Sequence, residues 1–198
     1  MRKFFLLIIC IACTGLSLRA QDSTDTGLTN TLTAYLMGGY VRNTSTFDEP
    51  IEGINKNGAD FGLRIMCKPG HLLSGGIEVS RSHIYSVDHA VNYQGESSQL
   101  VTSMYVVPIL FVFSMTPLDN VNINFGTGTS IIQSEVTSFG NTVNSSILSP
   151  IFTASADYMK PLSEDFSIGA EGKFAYMGKF YDSNVSLMLM LSYKFFVW

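Results

Sequence analysis

Hydrophobic and polar positions alternate along most of the chain, and the alternation is clearest over residues 185–198. One register of this stretch is wholly apolar and contains Val185, Leu187, Leu189, Leu191, Tyr193 and Phe195. The other register carries Ser186, Ser192 and Lys194. A period of two predicts a strand with two different faces. Because chain ends of soluble domains are usually polar and frayed, a strand that stays apolar up to Trp198 favours a lipid environment.

Seven further segments show strand-like patterns, separated by turn signals. Pro69, Pro117 and Pro161 lie in short sequences with Gly, Asp or Asn that favour tight reversals. Longer polar stretches alternate with these turns and are predicted to be loops over 42–60, 85–98, 133–147 and 177–184. The predicted strands are 31–41, 60–68, 72–83, 99–115, 121–132, 148–159, 166–176 and 185–196. Short turns at one end and longer loops at the other are typical of outer-membrane barrels.

The pattern therefore predicts an all-β protein, an eight-stranded antiparallel transmembrane up-and-down β-barrel in which strand 185–196 pairs with strand 31–41. A soluble lipocalin-like barrel would show the same alternation with its apolar face inward. Three observations favour the membrane: only 14% of residues are charged, turns and loops differ in length, and the last strand ends on Trp198. Aromatic residues also lie near strand ends, as interfacial girdles do.

Charged residues inside the strands share the parity of the polar face. They are Arg64, Glu78, Asp157, Glu171 and Lys173, with Lys194 on the same face of the last strand. Arg81 has the apolar parity but lies near the loop end, and strand 99–115 is apolar on both faces, so its register stays open. An eight-stranded barrel has a lumen just filled by side chains, and charges buried there need partners. We therefore expect a structural, salt-bridged interior rather than an ion or proton path.

The first 20 residues have the pattern of a secretory signal peptide: basic Arg2-Lys3, an apolar core over 4–12, and a cleavage site at Leu18-Arg-Ala20. Lipidation at Cys13 is the alternative. We expect residues 21–30 to be a periplasmic segment and 31–198 to be the barrel domain. The predicted mature chain has 12 − 3 = 9 basic and 16 acidic residues, a net charge of −7, which argues against a nucleic-acid partner. Cys67 is its single cysteine.

Three segments resemble a known family. Tyr105-Val-Val-Pro-Ile-Leu-Phe111 resembles the fourth-strand signature of the small outer-membrane β-barrel domain family of Bacteroidetes-type bacteria. Members of that family are eight-stranded, OmpA/OmpX-like barrels. Asn124-Phe-Gly-Thr-Gly-Thr-Ser130 is similar to the glycine-rich strand that follows it. Leu191-Ser-Tyr-Lys-Phe195 resembles the C-terminal assembly signal, here extended to Trp198. The resemblance implies that Tyr193, Phe195 and Trp198 form an assembly signal recognised by the barrel-assembly machinery.

The expected function is a non-enzymatic integral protein in the outer membrane of a Gram-negative bacterium, monomeric and surrounded by lipid. Its polar loops would serve envelope integrity or surface interaction with an external ligand. The alternatives are an accessory barrel of a secretion or transport complex, a lipid-modifying enzyme that uses His83, and a narrow pore. The three histidines are scattered, so no metal site or cofactor is expected.

Overall fold

The computed structural model describes residues 30–45, 53–69, 73–93, 96–138, 141–179 and 182–198, with side chains left out over 89–99. The predicted signal peptide, all but the last residue of segment 21–30, and His71 lie outside the described residues, as does the side chain of His89. No helix in the described ranges has the length and apolar character to cross a membrane.

The described chain forms eight long strands that pair in sequence order into a closed antiparallel ring. They are β1 (Thr31–Asn43), β2 (Asn57–Lys68), β3 (Leu73–Tyr93), β4 (Glu96–Leu118), β5 (Val121–Ser138), β6 (Asn141–Pro161), β7 (Phe166–Met177) and β8 (Asp182–Val197). A two-residue strand, Ile54–Asn55, adds to β3. The ring closes through β1 and β8, from Thr31 opposite Val197 to Asn43 opposite Asn184. The eight-stranded up-and-down barrel and its closing pair are confirmed.

Two predicted loops are wrong, because the chain continues there as strands. The segments 85–98 and 133–147 belong to hairpins in which pairing runs out to Tyr93 opposite Glu96 and to Ser138 opposite Asn141. We call this end of the barrel the hairpin end. The opposite end, the turn end, has a reversal at Asp119–Asn120, where Asn120 has a φ of 67°. Asparagine tolerates this left-handed backbone better than most residues.

The two faces of the barrel wall have opposite chemistry. The outward face carries exposed apolar side chains around the ring, among them Leu36, Phe61, Leu63, Ile109, Phe111, Phe113, Phe125, Phe152, Leu187 and Leu189. The inward face mixes buried polar groups with a core that includes Met37, Met66, Val106, Leu110, Ile151, Met177, Met188 and Met190. The open register of β4 is settled: Val106, Leu110 and Val112 face inward, whereas Ile109 and Phe111 face outward.

The C-terminal extension is part of the closing seam. The register of β1 against β8 shifts between Leu32 and Thr33, so Leu32 lies opposite Phe196 and Thr33 opposite Lys194. The backbone N–H groups of Asn30 and Trp198 then donate to each other's carbonyl oxygens, at 2.9 and 3.0 Å. Lys194, expected to face inward, is instead exposed at the turn end, where its ammonium donates to the carbonyl oxygen of Glu164 at 3.0 Å. Its partner Thr33 is buried at this level, whereas the long side chain of Lys194 ends at the turn between β6 and β7.

The glycine-rich strand β5 approaches β4 closely. A Cβ at Gly128 would lie 2.0 Å from the carbonyl oxygen of Ile109. No side chain fits there, so glycine at this position permits the close approach of the two strands.

Candidate functional site: the barrel interior and the open strand edge

Four charged side chains from three strands form a ring across the lumen. Arg64 on β2 contacts Glu78 on β3 at 2.7 Å and Glu171 on β7 at 2.6 Å. Lys173 on β7 contacts Glu78 at 2.6 Å and Glu171 at 3.7 Å. Each of the four side chains is at most 6% exposed. Because two cations alternate with two carboxylates, the ring carries no net charge. Hydrogen bonds between charged groups of this kind are stronger than those between neutral groups.

Asp157, the fifth predicted interior charge, lies inward but outside this ring. Its two oxygens accept from the side-chain amides of Asn122 at 2.6 Å and Asn124 at 2.7 Å on neighbouring β5. Ser155 links the two groups, since Asn124 donates to its hydroxyl at 3.2 Å and the hydroxyl donates to Glu171 at 2.5 Å. All five predicted residues therefore belong to one buried polar network, four through ion pairs and Asp157 through amides.

The asparagines and Ser155 were missed from the sequence, although a signal for them exists. Val121-Asn-Ile-Asn-Phe125 alternates in the same way as the charged strands, and Ser155 shares the parity of Asp157. Neutral amides and hydroxyls of inward parity mark the lumen equally well, because buried polar groups of every kind need partners.

A second inward polar group lies between the ring and the hairpin end. Asp60 on β2 accepts from the Ser186 hydroxyl of β8 at 2.9 Å. Beside them, an enclosed cavity of about 20 Å³ is lined by Asp60, Ser82, Lys173 and Asn184, among others. That volume holds about one water molecule. Asp60 Oδ1 and Asn184 Oδ1 are buried there with no protein partner among the described residues, which suits a bound water. Together with the apolar layer of Ile84, Val106, Ile132 and Ile151, these groups fill the described lumen.

The hairpin end carries the second feature of functional interest. There β3, β4, β5 and β6 continue past the other strands as a four-stranded sheet. β7 pairs with β6 only from Ile151 opposite Met177 to Pro161 opposite Ser167, so β6 has no strand partner on that side over 141–148 among the described residues. Residues 141–148 are exposed on both faces of this sheet. We call residues 141–148 of β6 the open edge.

His83, the residue singled out for the enzymatic alternative, lies on the barrel wall. Its ring meets the Tyr105 ring edge-on, with centroids 5.1 Å apart. The guanidinium of Arg81 lies over the same Tyr105 ring, at 4.9 Å from its centroid. Arg81 is exposed and faces outward, as its parity predicts.

The aromatic residues of the predicted assembly signal are exposed at the turn end. Tyr193 packs against Phe166, with ring centroids 4.7 Å apart, and Trp198 packs against Phe196 at 5.4 Å. Phe195 is 44% exposed. The signal thus presents accessible aromatic surface beside the closing seam, and its recognition by an assembly machinery stays a prediction.

Sequence comparisons give no match: no family model and no curated protein matches this chain. Solved structures similar in fold include Ail, the attachment invasion locus protein of Yersinia pestis, which is 14% identical with a TM-score of 0.46 and covers 86% of this chain and 100% of its own. The Neisserial surface protein A is 11% identical, with a TM-score of 0.44 and coverage of 87% and 100%. The N-terminal barrel domain of Pseudomonas aeruginosa OprF is 10% identical, with a TM-score of 0.44 and coverage of 84% and 99%.

The surface of this chain itself fixes its environment. A closed ring leaves no open strand edge within the wall, as a sheet in hydrocarbon requires. The outward face of the wall is apolar, whereas the buried charged residues all face inward, which is the reverse of a soluble barrel. The protein is therefore an eight-stranded transmembrane β-barrel of the outer-membrane type, and its location is the outer membrane of a Gram-negative bacterium.

Proposed function

We propose that the protein is a non-enzymatic surface-interaction barrel whose open edge binds extended segments of external proteins by strand addition. In this mode of recognition a peptide pairs its backbone with an unpaired strand and so extends the sheet. The observation that carries the proposal is the open edge itself, which along one side has no strand partner in the part of the chain that the structure describes.

The direction of the unpaired groups follows from one hydrogen bond at the base of the edge. The N–H of Gly178 donates to the carbonyl oxygen of Pro150 at 3.0 Å, on the side of β6 that faces β7. In an antiparallel strand both backbone groups of a residue point to the same side, and the side alternates along the chain. The backbone groups that point away from β5 therefore belong to Thr142, Asn144, Ser146 and Leu148.

The open edge lacks the features that usually prevent unwanted pairing. Exposed edges of natural sheets are commonly protected by charged side chains, proline or bulges. No charged residue occurs between Glu135 and Asp157, and the single proline of that stretch, Pro150, lies at the base of the edge. An unprotected edge of eight residues is suited to a partner strand.

The interior supports a role that needs no passage through the barrel. Its described side chains fill the lumen, and the polar ones are mostly paired with one another. We therefore assign the function to the surface, where the hairpins meet external molecules, and not to the passage of ions or solutes through the lumen.

A backbone-directed substitution tests the open edge. Ser146→Pro removes an N–H that points away from β5 and places a ring at the edge, while leaving the pairing of β6 with β5 intact. Ser146→Thr is the matched control, because it keeps the N–H. Purified protein in detergent micelles would be applied to an array of immobilised twelve-residue extended peptides, with heat-modifiable gel mobility confirming that each variant is folded.

We expect the wild type and Ser146→Thr to retain a shared subset of peptides. Ser146→Pro should lose about tenfold in affinity for that subset, since one or two backbone hydrogen bonds are lost and the ring blocks approach. Equal retention by folded Ser146→Pro, or retention of no peptide by the wild type, would contradict strand addition at this edge.

A further inference from the structure

Arg81 is a cation on the outward face of the membrane wall. It follows Ile77 and Val79 on the outward register of β3, whereas Glu78 and Ser80 face inward. None of the ion pairs among the described residues involves it. Its guanidinium instead lies over the Tyr105 ring. Stacking holds the flat face of a guanidinium and leaves its N–H edge free for an anion.

The height of Arg81 places it near the outer rim of the apolar band. It is eight residues beyond Leu73, which is at the turn end of β3. A rise of about 3.3 Å per residue and a tilt of about 40° give a height of about 20 Å, within a band of about 25 Å. A charge costs little at such an interface, and a long side chain can direct its head toward the polar layer. In outer-membrane barrels the short turns lie in the periplasm and the longer connections lie outside the cell, so the lipid beside Arg81 is that of the outer leaflet.

A shallow, open apolar groove of about 800 Å³ lies on the same wall, and Arg81 is the single charged residue among the described residues that line it. Its outward-facing walls include Leu36, Phe61, Val79 and Leu189. Gly38 lines the groove without a side chain, and a Cβ there would lie 3.2 Å from the Phe61 ring, so a larger residue would occupy groove space. A groove of this character along a lipid-facing wall suits a hydrocarbon chain.

A second, polar cavity of about 360 Å³ borders Arg81 on its other side. It is lined by Tyr105, Gln133, Ser134, Glu135, Asn144, Ser145 and Ser146 as well as by Arg81. Amide, hydroxyl and carboxylate groups of this kind form hydrogen bonds with sugar hydroxyls. Arg81 is the one residue common to the two cavities.

We propose that these features together bind a phosphorylated glycolipid of the outer leaflet, of the lipid A type. An acyl chain lies in the apolar groove, a phosphate pairs with the guanidinium of Arg81, and the sugar contacts the polar cavity. Arginine suits the phosphate because its forked N–H groups match two phosphate oxygens at once. The juxtaposition of apolar groove, cation and polar cavity favours a glycolipid over a phosphate lipid without sugar. The polar cavity shares Asn144, Ser145 and Ser146 with the open edge, whereas Arg81 and the apolar groove lie outside it, so variants at Arg81 and Gly38 test the lipid site without altering that edge.

Native mass spectrometry of the purified full chain in nonionic detergent tests the assignment. The probes are lipid A with its phosphates, the same lipid A after dephosphorylation, phosphatidylglycerol and inorganic phosphate. Arg81→Gln removes the proposed phosphate partner. Arg42→Gln is the matched control, because Arg42 is an exposed arginine of β1 that does not line the groove. Gly38→Val fills the groove without touching the cation.

We expect the wild type and Arg42→Gln to bind phosphorylated lipid A about tenfold more tightly than the dephosphorylated form. Arg81→Gln should abolish that preference, and Gly38→Val should weaken both forms while keeping the preference. The proposal is overturned if Arg81→Gln keeps the preference, if Gly38→Val binds as the wild type does, if phosphatidylglycerol binds as tightly as lipid A, or if millimolar inorganic phosphate displaces the lipid.

Discussion

Arg64 links three strands through its charge contacts inside the barrel. Its guanidinium reaches Glu78 through Nε at 2.8 Å and Glu171 through Nη2 at 2.6 Å, and so connects β2 with β3 on one side and β7 on the other. A buried ion pair contributes little net stability when complete, because desolvation offsets the attraction. Removing one partner has a much larger effect, since the remaining charges stay buried without compensation.

Arg64→Met should therefore lower the free energy of unfolding by about 3–5 kcal/mol, because Glu78 loses one cation and Glu171 loses its closest one. Arg42→Met, at an exposed position of β1, should change it by no more than about 0.5 kcal/mol. Urea unfolding of the protein refolded into lipid vesicles measures both. Similar unfolding free energies for the two variants would show that the ring is not an interdependent structural unit.

For single residues, the sequence shows which side chains face the interior but not which of them contact one another. Parity alone placed Arg64, Glu78, Asp157, Glu171 and Lys173 on the inward face, where all five lie. Which of them meet depends on the stagger of strands around the ring. Arg64 and Glu171 are 107 residues apart and come together only when the barrel closes. No local pattern carries that information.

Strands of this barrel cross two environments along their length. Leu189, near the middle of β8, is 72% exposed and faces the bilayer, whereas Val143, on the open edge of β6, is 67% exposed and faces water. Their exposed fractions are nearly equal, so exposure alone does not distinguish them. The difference lies in the solvent that each one meets.

An arginine introduced at each position distinguishes the lipid environment from the aqueous one. Leu189→Arg should destabilise the vesicle-inserted protein by about 2–4 kcal/mol, the cost of a charge facing lipid near the midplane. Val143→Arg should cost no more than about 0.5 kcal/mol, because its head stays in water. Unfolding titrations in the same vesicles measure the two changes. A penalty of the same size at both positions would place the boundary of the apolar belt elsewhere.

The same change of environment explains why two hairpins were predicted as loops. Within the belt one face meets lipid and the other the lumen, which produces the period-two pattern. Beyond the belt both faces of residues 141–148 meet water, and their sequence becomes rich in Ser, Asn and Thr without alternation. Backbone pairing still continues to Ser138 opposite Asn141. The alternation of apolar and polar residues therefore follows the bilayer. It stops at the edge of the apolar belt, although the strands continue beyond it.

For the molecule as a whole, closure is the property on which the other features depend. Pairing of β1 with β8 removes both edges of the sheet within the wall and creates the enclosed lumen that the ion-pair ring fills. The number of strands and the closing pair were predictable, because turn signals mark every second connection and each strand retains one apolar face. The register shift between Leu32 and Thr33 was not predictable. It allows the three residues beyond Phe195 to pair with the start of β1.

Heat-modifiable gel migration of the protein in an outer-membrane fraction tests the transmembrane barrel most directly. A closed barrel resists unfolding by detergent at room temperature, so the unheated sample should migrate faster than the boiled one, and the protein should sediment with the outer membrane. Recovery of the protein in the soluble periplasmic fraction, with the same mobility before and after boiling, would contradict the account.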